Sequence, residues 1–506
     1  MTLNFILILN FKWNALSLTQ EGIWHLPTAA TVWTQIYTFD VMKNVSNTPD
    51  FTNKLSDKRL EKRANKIAQA IMISRSSSIH GSTRDQAEQK GFYRFLDNES
   101  VNEDQLISAI TSRCSQNVMN RDVLVIQDSS SYGLSHLKGS AKEKSGLGLV
   151  GNKGGLGFLT HTSLVLDAHT ESVLGYSDIK LWHRTEDKSN NTTGKYKSQP
   201  IEEKESYKWI QASNQAKQVL HSAKSITIIQ DREGDIYQQF CQVPDERTEL
   251  IIRSRDNRRL ADGSRLDEAL EQVQTITEIS IPIIGDLRKE KKNRIAQVAI
   301  KICQVDIQKP EKVKDASLPK QIRLYALEAK EINPASKSDN IHWRILTTIK
   351  LNTKEDALSI IMRYKQRWYI EQLFRLTKRQ GFKIEQTQLE TGWAIRKLYV
   401  MVLSAAIRVM QLYLAYDEEK SQDITEVFNE EEIKCLRKVE THLQKTNKTT
   451  NPNNPQKLAW ASWIIARLGG WKGNSRQRRP GPIILLKGVE KFENMFEGWQ
   501  LANMMI

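Results

Sequence analysis

The sequence predicts an α/β protein, in which a mixed-sheet core carries an inserted β-rich subdomain and is flanked by helical N- and C-terminal domains. Three observations predict it. Two short apolar runs, Val123-Leu124-Val125-Ile126 and Ile226 to Ile229, have the character of strands buried on both faces. Between them lie a hairpin pattern and a helical stretch, an order that builds a mixed sheet. Between the second run and a helix-period stretch starting near Lys354, four segments with strand character follow one another.

Taken in order, residues 1–50 show no steady period and are expected to form a poorly defined arm. Its run Phe5-Ile6-Leu7-Ile8-Leu9 lacks a basic leader and is far shorter than the ~20 residues of a membrane span, so neither a targeting signal nor a membrane segment is expected. From Leu55, residues Leu60, Ala64, Ile67, Ala68 and Ile71 follow helical spacing, while Lys58, Arg59, Lys62, Arg63 and Lys66 crowd the remaining faces. A basic amphipathic helix within a helical domain over 51–118 follows from this.

The core is expected over 119–380, beginning with the Val123 strand. A hairpin over about 159–166 and 172–182, a helix over about 203–222, the Ile226 strand and Leu250-Ile251-Ile252 come next. The insertion, about 257–350, holds strands near 277–284, 295–305, 321–330 and 343–349 and a basic tip from Arg288 to Lys292. One long helix is expected from about Lys354 to Gln380. The remainder, 381–506, reads as helical, with an Asn/Pro/Lys/Thr-rich linker near 445–456.

A chain of 506 residues with 39% hydrophobic content has room for roughly three domains and a proper core. Lys and Arg number 74 against 59 for Asp and Glu, a formal charge of +15 that favours a polyanionic partner such as nucleic acid, although ordinary solubility charge has the same sign. Cys114, Cys241, Cys303 and Cys435 stand singly with no CxxC spacing, which argues against zinc ribbons and a disulfide framework and fits a reducing cytoplasm.

Both apolar strands run into the same dipeptide, Gln127-Asp128 and Gln230-Asp231, and each carboxylate is expected where its strand leaves the sheet. Aspartates there also serve as turn or helix caps. If the strands are parallel neighbours, the two can share a hard cation such as magnesium. In the Lys354 helix, Tyr364, Arg367, Glu371 and Lys378 stand at offsets 0, 3, 7 and 14, within about a 60° arc at ~100° per residue. A solvated face with an Arg367–Glu371 ion pair has the same pattern. Three carboxylates on separate elements beside basic side chains meet the needs of two-metal phosphoryl transfer. No Ser/His/Asp or Cys/His grouping stands out among the nine histidines.

At Tyr364, Arg367, Glu371 and Lys378 the sequence resembles the bacterial DDE transposases of the insertion-sequence-four family, whose signature is this spacing of tyrosine, arginine, glutamate and lysine. LSDKRLEKRA at 55–64 and GFYRFLDN at 91–98 look like the family's end-binding region. DREGDIYQ at 231–238, EKESYKW at 203–209, IIRSR at 251–255 and ARLGGW at 466–471 look like further family blocks. The resemblance implies a ribonuclease-H-like core with a β-insertion in the 140 residues between Asp231 and Glu371. It implies two magnesium ions, replaceable by manganese, on Asp128, Asp231 and Glu371, with DNA phosphates held by Tyr364, Arg367 and Lys378. Arg253 is a further expected DNA contact, and Arg59 and Arg63 are expected to contact DNA from the basic helix.

Trp343, 21 residues before Tyr364, matches the family tryptophan that stacks on a flipped base, although a half-buried strand tryptophan has the same appearance. The implied activity is cut-and-paste transposition through a DNA hairpin, by a synaptic homodimer on transposon-end and target duplexes, in the bacterial cytoplasm and on the nucleoid when bound to DNA. Two departures stand out: Ser129-Ser130-Ser131 replace the threonines of many relatives, and residues 1–50 are longer and more apolar than the family start. A catalytically dead DNA-binding relic or transposition inhibitor, and a nuclease unable to join strands, remain the alternatives.

Overall fold

The computed structural model describes residues 51–74, 76–137, 146–151, 155–184, 199–283, 294–334, 340–416, 421–447, 450–473 and 479–504, and a two-residue antiparallel pair, Ser17–Leu18 with Trp24–His25. The rest of the arm, with its Phe5 to Leu9 run, and the basic tip at 288–292 lie outside the described residues, as do 448 and 449 of the linker.

Three helices come first: α1 (Lys58–Ser74), α2 (Gln86–Asp97) and α3 (Glu103–Asn117). Asp85 caps α2 and Asn102 closes a capping box on α3, as short polar side chains do at helix starts. A ten-stranded mixed sheet follows. It comprises β1 (Asp122–Gly133), β2 (Gly148–Val150), β3 (Gly155–Asp167), β4 (Val173–Trp182), β5 (Ser225–Gln230), β6 (Thr248–Arg253), β7 (Thr277–Ile283), β8 (Arg294–Gln308), β9 (Gln321–Ile332) and β10 (His342–Thr347). Helix α4 (Lys208–Val219) joins β4 to β5, and the short α5 (Tyr237–Gln242) and α6 (Leu266–Gln272) flank β6.

Five of these strands lie in the order β4-β3-β1-β5-β6, with β3 antiparallel to both β1 and β4 and β5 parallel to both β1 and β6. This is the topology of a ribonuclease-H-like core. Alternation along β1 shows that both sheet faces are covered. Val123 and Val125 join Ile226, Ile228 and Ile210 of α4 in one apolar cluster, whereas Leu124 and Ile126 join Ile229, Ile251, Ile370 and Leu373 in the other.

The insertion extends this sheet rather than folding apart from it. Strand β10 returns antiparallel beside β6, pairing Ile345 with Arg253, and β9, β8 and β7 continue outward as a meander.

The single helix expected over 354–380 is two: α7 (Lys354–Lys365) and α8 (Trp368–Thr377). Between them Gln366 and Arg367 donate to the carbonyls three residues back, on Arg363 and Tyr364, so the chain is overwound and the helical phase is lost.

The C-terminal helices are α9 (Gly392–Leu414), α10 (Glu430–Asn447), α11 (Leu458–Leu468) and α12 (Pro482–Met504). By length and composition α9 could cross a membrane, but 94% of its apolar window is buried within the protein. It packs against α1, α2, α3, α11, α12 and strand β4. The N-terminal helices therefore share one core with the C-terminal region, closed by buried Arg408 of α9, which donates to Glu432 at 2.7 Å and Glu493 at 2.9 Å.

Candidate active site

The parallel pairing of β1 with β5 places Ile126 beside Ile229, and β5 with β6 places Ile229 beside Ile251. Two residues further on, on the same face of the sheet, the three strands carry Asp128, Asp231 and Arg253. Arg253 is in turn the partner of Ile345 on β10, whose same-face neighbour is Trp343. One row across four strands thus contains two of the three expected carboxylates, a guanidinium and an indole, and it faces α7 and α8.

Asp231 stands where expected, just past the end of β5. It caps the following turn by accepting from the Glu233 amide at 2.8 Å. Asp128 does not sit at a strand end. Strand β1 runs on to Gly133 because its antiparallel ladder with β3 continues through Asp128 opposite Thr162 to Gly133 opposite Gly157, and only the parallel partner stops at Gln230. Asp128 accordingly lies at the step where the sheet loses one neighbour and opens towards α8.

Arg367, at the break between the helices, joins the third carboxylate to the first. Its guanidinium donates to Asp128 Oδ2 at 3.0 Å and, through its other Nη, to Glu371 Oε1. Burial pushes the Asp128 carboxyl up to about 7, and repulsion from Asp231 and, more weakly, Glu371 adds to this, outweighing the pull of Arg367. As the side chains lie, no three of them among the described residues are gathered tightly enough to hold one ion. Arg367 occupies the ground between Asp128 and Glu371. The donor set nevertheless fits a hard divalent cation: oxygen ligands in excess of their positive partner, one of them held protonated to near-neutral pH by burial and by its acidic neighbours.

A consequence for stability follows. A carboxyl that holds its proton to about 7 when folded and to 3.8 when unfolded costs the fold nothing below pH 4; the cost grows as pH rises to 7, reaching a few kcal/mol. In chelator, Asp128→Asn should therefore melt higher than the parent at pH 8 and level with it at pH 4. A constant difference across that range in thermal melts contradicts the assignment.

Tyr364 is buried in the last turn of α7, its ring 5.7 Å from that of Trp343, and burial raises its hydroxyl pKa while Arg367 and Arg253 counter the rise. Arg253 donates to the His342 carbonyl at 3.1 Å, and burial lowers its pKa. Lys378 is not on the helical stripe: it follows the end of α8 in extended backbone, its Nζ 5.2 Å from the Tyr132 ring centre. Burial lowers its pKa, and Glu385 and Asp128 oppose this. Its ammonium is placed by a turn rather than by helical phase, with Glu385 and, more weakly, Asp128 as the carboxylates acting on it.

Arg59 and Arg63 are not brought to this site. Arg59 is exposed and paired with Asp57 at 3.0 Å, and Arg63 lies across Gly91 of α2, where any side chain would collide with its guanidinium. Sequence reasoning also missed the Asp235–Arg258 pair. Buried Arg258 donates through Nε to Asp235 Oδ1 at 2.9 Å and ties the loop after Asp231 to the loop after β6. Asp235 was visible inside DREGDIYQ, but nothing near Arg258 marked it as its partner.

Comparison with known proteins gives two family matches: residues 52–101 to the model described as Transposase DNA-binding and residues 210–408 to that described as Transposase DDE domain. Asp231 and Glu371 lie inside the second; Asp128 lies ahead of it and joins them through β1. Among solved structures, the piggyBac transposase synaptic complex with hairpin DNA is similar at 11% identity and a TM-score of 0.34, covering 87% of this chain and 71% of that one.

Proposed function

We propose that this chain, whose residues 210–408 match the Transposase DDE domain and 52–101 the Transposase DNA-binding model, is a metal-dependent DNA-cleaving transposase that performs cut-and-paste transposition at specific end repeats through a hairpin intermediate. The spacing of Tyr364, Arg367, Glu371 and Lys378 supports reading it as a member of the insertion-sequence-four family. The observation that carries the mechanism is the row Asp128, Asp231, Arg253 and Trp343, closed by Glu371 through Arg367.

Asp128, Asp231 and Glu371 would hold two magnesium ions, with manganese able to replace them. When bound, such ions activate an attacking oxygen and stabilise the leaving one. Arg367 neutralises Asp128 and Glu371 in the resting site. Once that charge is supplied otherwise, its planar fork suits a phosphate of the transposon end. Tyr364 and Lys378 flank the two ends of α8, one as hydrogen-bond donor and one as charge, and Arg253 adds a second guanidinium beside Asp231.

Water cuts one strand at the element boundary. The freed 3′-hydroxyl then attacks the opposite strand to close a hairpin, and after hairpin opening it attacks target DNA. Water is again the nucleophile in hairpin opening, so one site geometry serves all four transfers, with no covalent enzyme intermediate and no ATP.

We assign end recognition to 51–118, with Arg59 and Arg63 among its DNA contacts, catalysis to 119–380 and the interface of a synaptic homodimer to the helical region 381–506. The enzyme acts in the bacterial cytoplasm, on the nucleoid.

Supercoiled plasmid carrying both ends, incubated with protein and magnesium, should release an excised, hairpin-ended fragment; nicked or linear plasmid alone contradicts the hairpin course. Trp343 is half-buried against Tyr364 and presents an aromatic face for an unstacked base, an interaction of ~1–3 kcal/mol. Trp343→Ala should thus slow hairpin closure roughly 5- to 160-fold, the range that energy implies, with first-strand nicking spared. Equal loss of both steps on a gel time course would contradict that role.

A further inference from the structure

On the opposite face of β1 and β5, directly beneath the aspartates, lies a buried polar lattice. The backbone ladder between these strands stops at Ile126 beside Ile229, and one residue later the side chains take over: Gln230 Nε2 donates to Gln127 Oε1 at 2.6 Å. Ser213 of α4 donates its one proton to the Trp209 carbonyl at 2.8 Å, and it accepts from Gln230 at 3.3 Å and from Gln239 of α5 at 2.9 Å. All four side chains are fully buried. Gly234 makes room for the lattice, since a Cβ there would stand 2.3 Å from Gln230 Oε1.

Such a lattice is a poor way to stabilise a sheet. Gln127 Nε2, Gln230 Oε1 and Gln239 Oε1 are buried with no partner among the described residues, and each orphaned group costs about 1–3 kcal/mol. Apolar residues would pack the same strand-to-helix contact without that cost, as the other α4-facing residues of these strands, Val123, Val125, Ile226 and Ile228, already do. What the amides add is a short, directional link between the two strands at one level only, next to Asp128 and Asp231, where the backbone no longer pairs them.

We propose that Gln127 and Gln230 are positioning residues whose mutual hydrogen bond sets the separation of Asp128 and Asp231 and so makes the site selective for magnesium. The proposal rests on the reading of those aspartates as metal ligands. Magnesium needs near-ideal octahedral geometry and tolerates displaced ligands poorly, whereas a larger cation with more flexible coordination tolerates them. Loss of the link should therefore weaken magnesium binding more than calcium binding.

The test uses the full-length chain with Gln127→Leu, Gln230→Leu and the double substitution, and Gln127→Met with Gln230→Met as a second, less branched pair. Calorimetric titration with magnesium and, separately, calcium gives affinities without any turnover; cleavage of end-bearing plasmid against magnesium concentration gives the functional counterpart. The expected result is a melting temperature at or above that of the parent, at least a tenfold loss of magnesium affinity with less than threefold for calcium, and a matching rise in the magnesium needed for half-maximal cleavage.

Folded variants of either pair with unchanged magnesium affinity, or with equal losses for both ions, overturn the proposal, and so does failure of both pairs to fold, which makes the lattice structural. Asp128→Ala and Asp231→Ala separate this from failure of the underlying reading. If they too bind magnesium like the parent, the site assignment is wrong; if they lose it while the glutamine variants do not, only the positioning role is.

Discussion

Replacing Asp128, Asp231 or Glu371 with Ala is expected to lower strand cleavage by at least ~10³-fold each, and the triple variant by little more than any single one. Groups that hold one cluster act as a unit, so removing any of them removes nearly the whole effect. End-DNA binding should survive, because the chain from 52 to 101, which matches the DNA-binding model, packs on α9 and not on the carboxylate row. The first quantity is read by single-turnover cleavage and the second by gel shift. A variant that cleaves within tenfold of the parent removes its residue from the site. Multiplying losses in the triple variant would mean that the three act separately.

Arg367→Ala should have the second-largest effect. Here the guanidinium compensates two carboxylates at once, and removing one partner of a buried pair costs ~3–5 kcal/mol; Glu371 is 35% exposed, which places this site at the low end. The variant is therefore expected to melt below the parent in chelator and to regain stability as divalent ion is added, since a ligand that binds only the folded state contributes about 2.7 kcal/mol at 100 times its Kd. Cleavage should fall ~10²-fold, through the lost phosphate clamp, and Arg367→Lys should not restore it, because an ammonium cannot span Asp128 and Glu371 as a fork does. Equal melting temperatures with and without metal would show that Arg367 does not compensate the carboxylates.

Much of the architecture was legible in the sequence because its strands are buried on both faces. VLVI at 123–126 and the ITII run at 226–229, interrupted only by Thr227, betrayed themselves as apolar stretches, whereas their parallel pairing was open in the sequence and is shown by the sheet. The four insertion strands fell within a few residues of their expected places. What periodicity could not show was the break at Gln366 and Arg367, where tertiary packing of Tyr364 and Ile370 on the same core demands a change of phase that local composition does not signal. Nor could it show that β1 outruns its parallel partner, since the Ser129-Ser130-Ser131 stretch looks like a turn and is held extended only by β3.

At the site, Asp231 and Glu371 were legible by position and by pattern. Lys378 was legible as a residue, but not in the turn that presents it. Asp235 with Arg258 and the Gln127–Gln230 link join residues 23 and 103 apart in the chain, a relation only the folded sheet reveals.

The account is tested most directly by diffraction from the full-length protein bound to a duplex bearing its flanking inverted repeat, with manganese in the crystal and data collected at its absorption edge. The predicted result is anomalous density within ~2.0–2.3 Å of carboxylate oxygens of Asp128, Asp231 and Glu371, with Arg367 swung from the carboxylates onto a DNA phosphate. Manganese bound elsewhere, or Arg367 still bridging Asp128 and Glu371 with DNA in place, would contradict it.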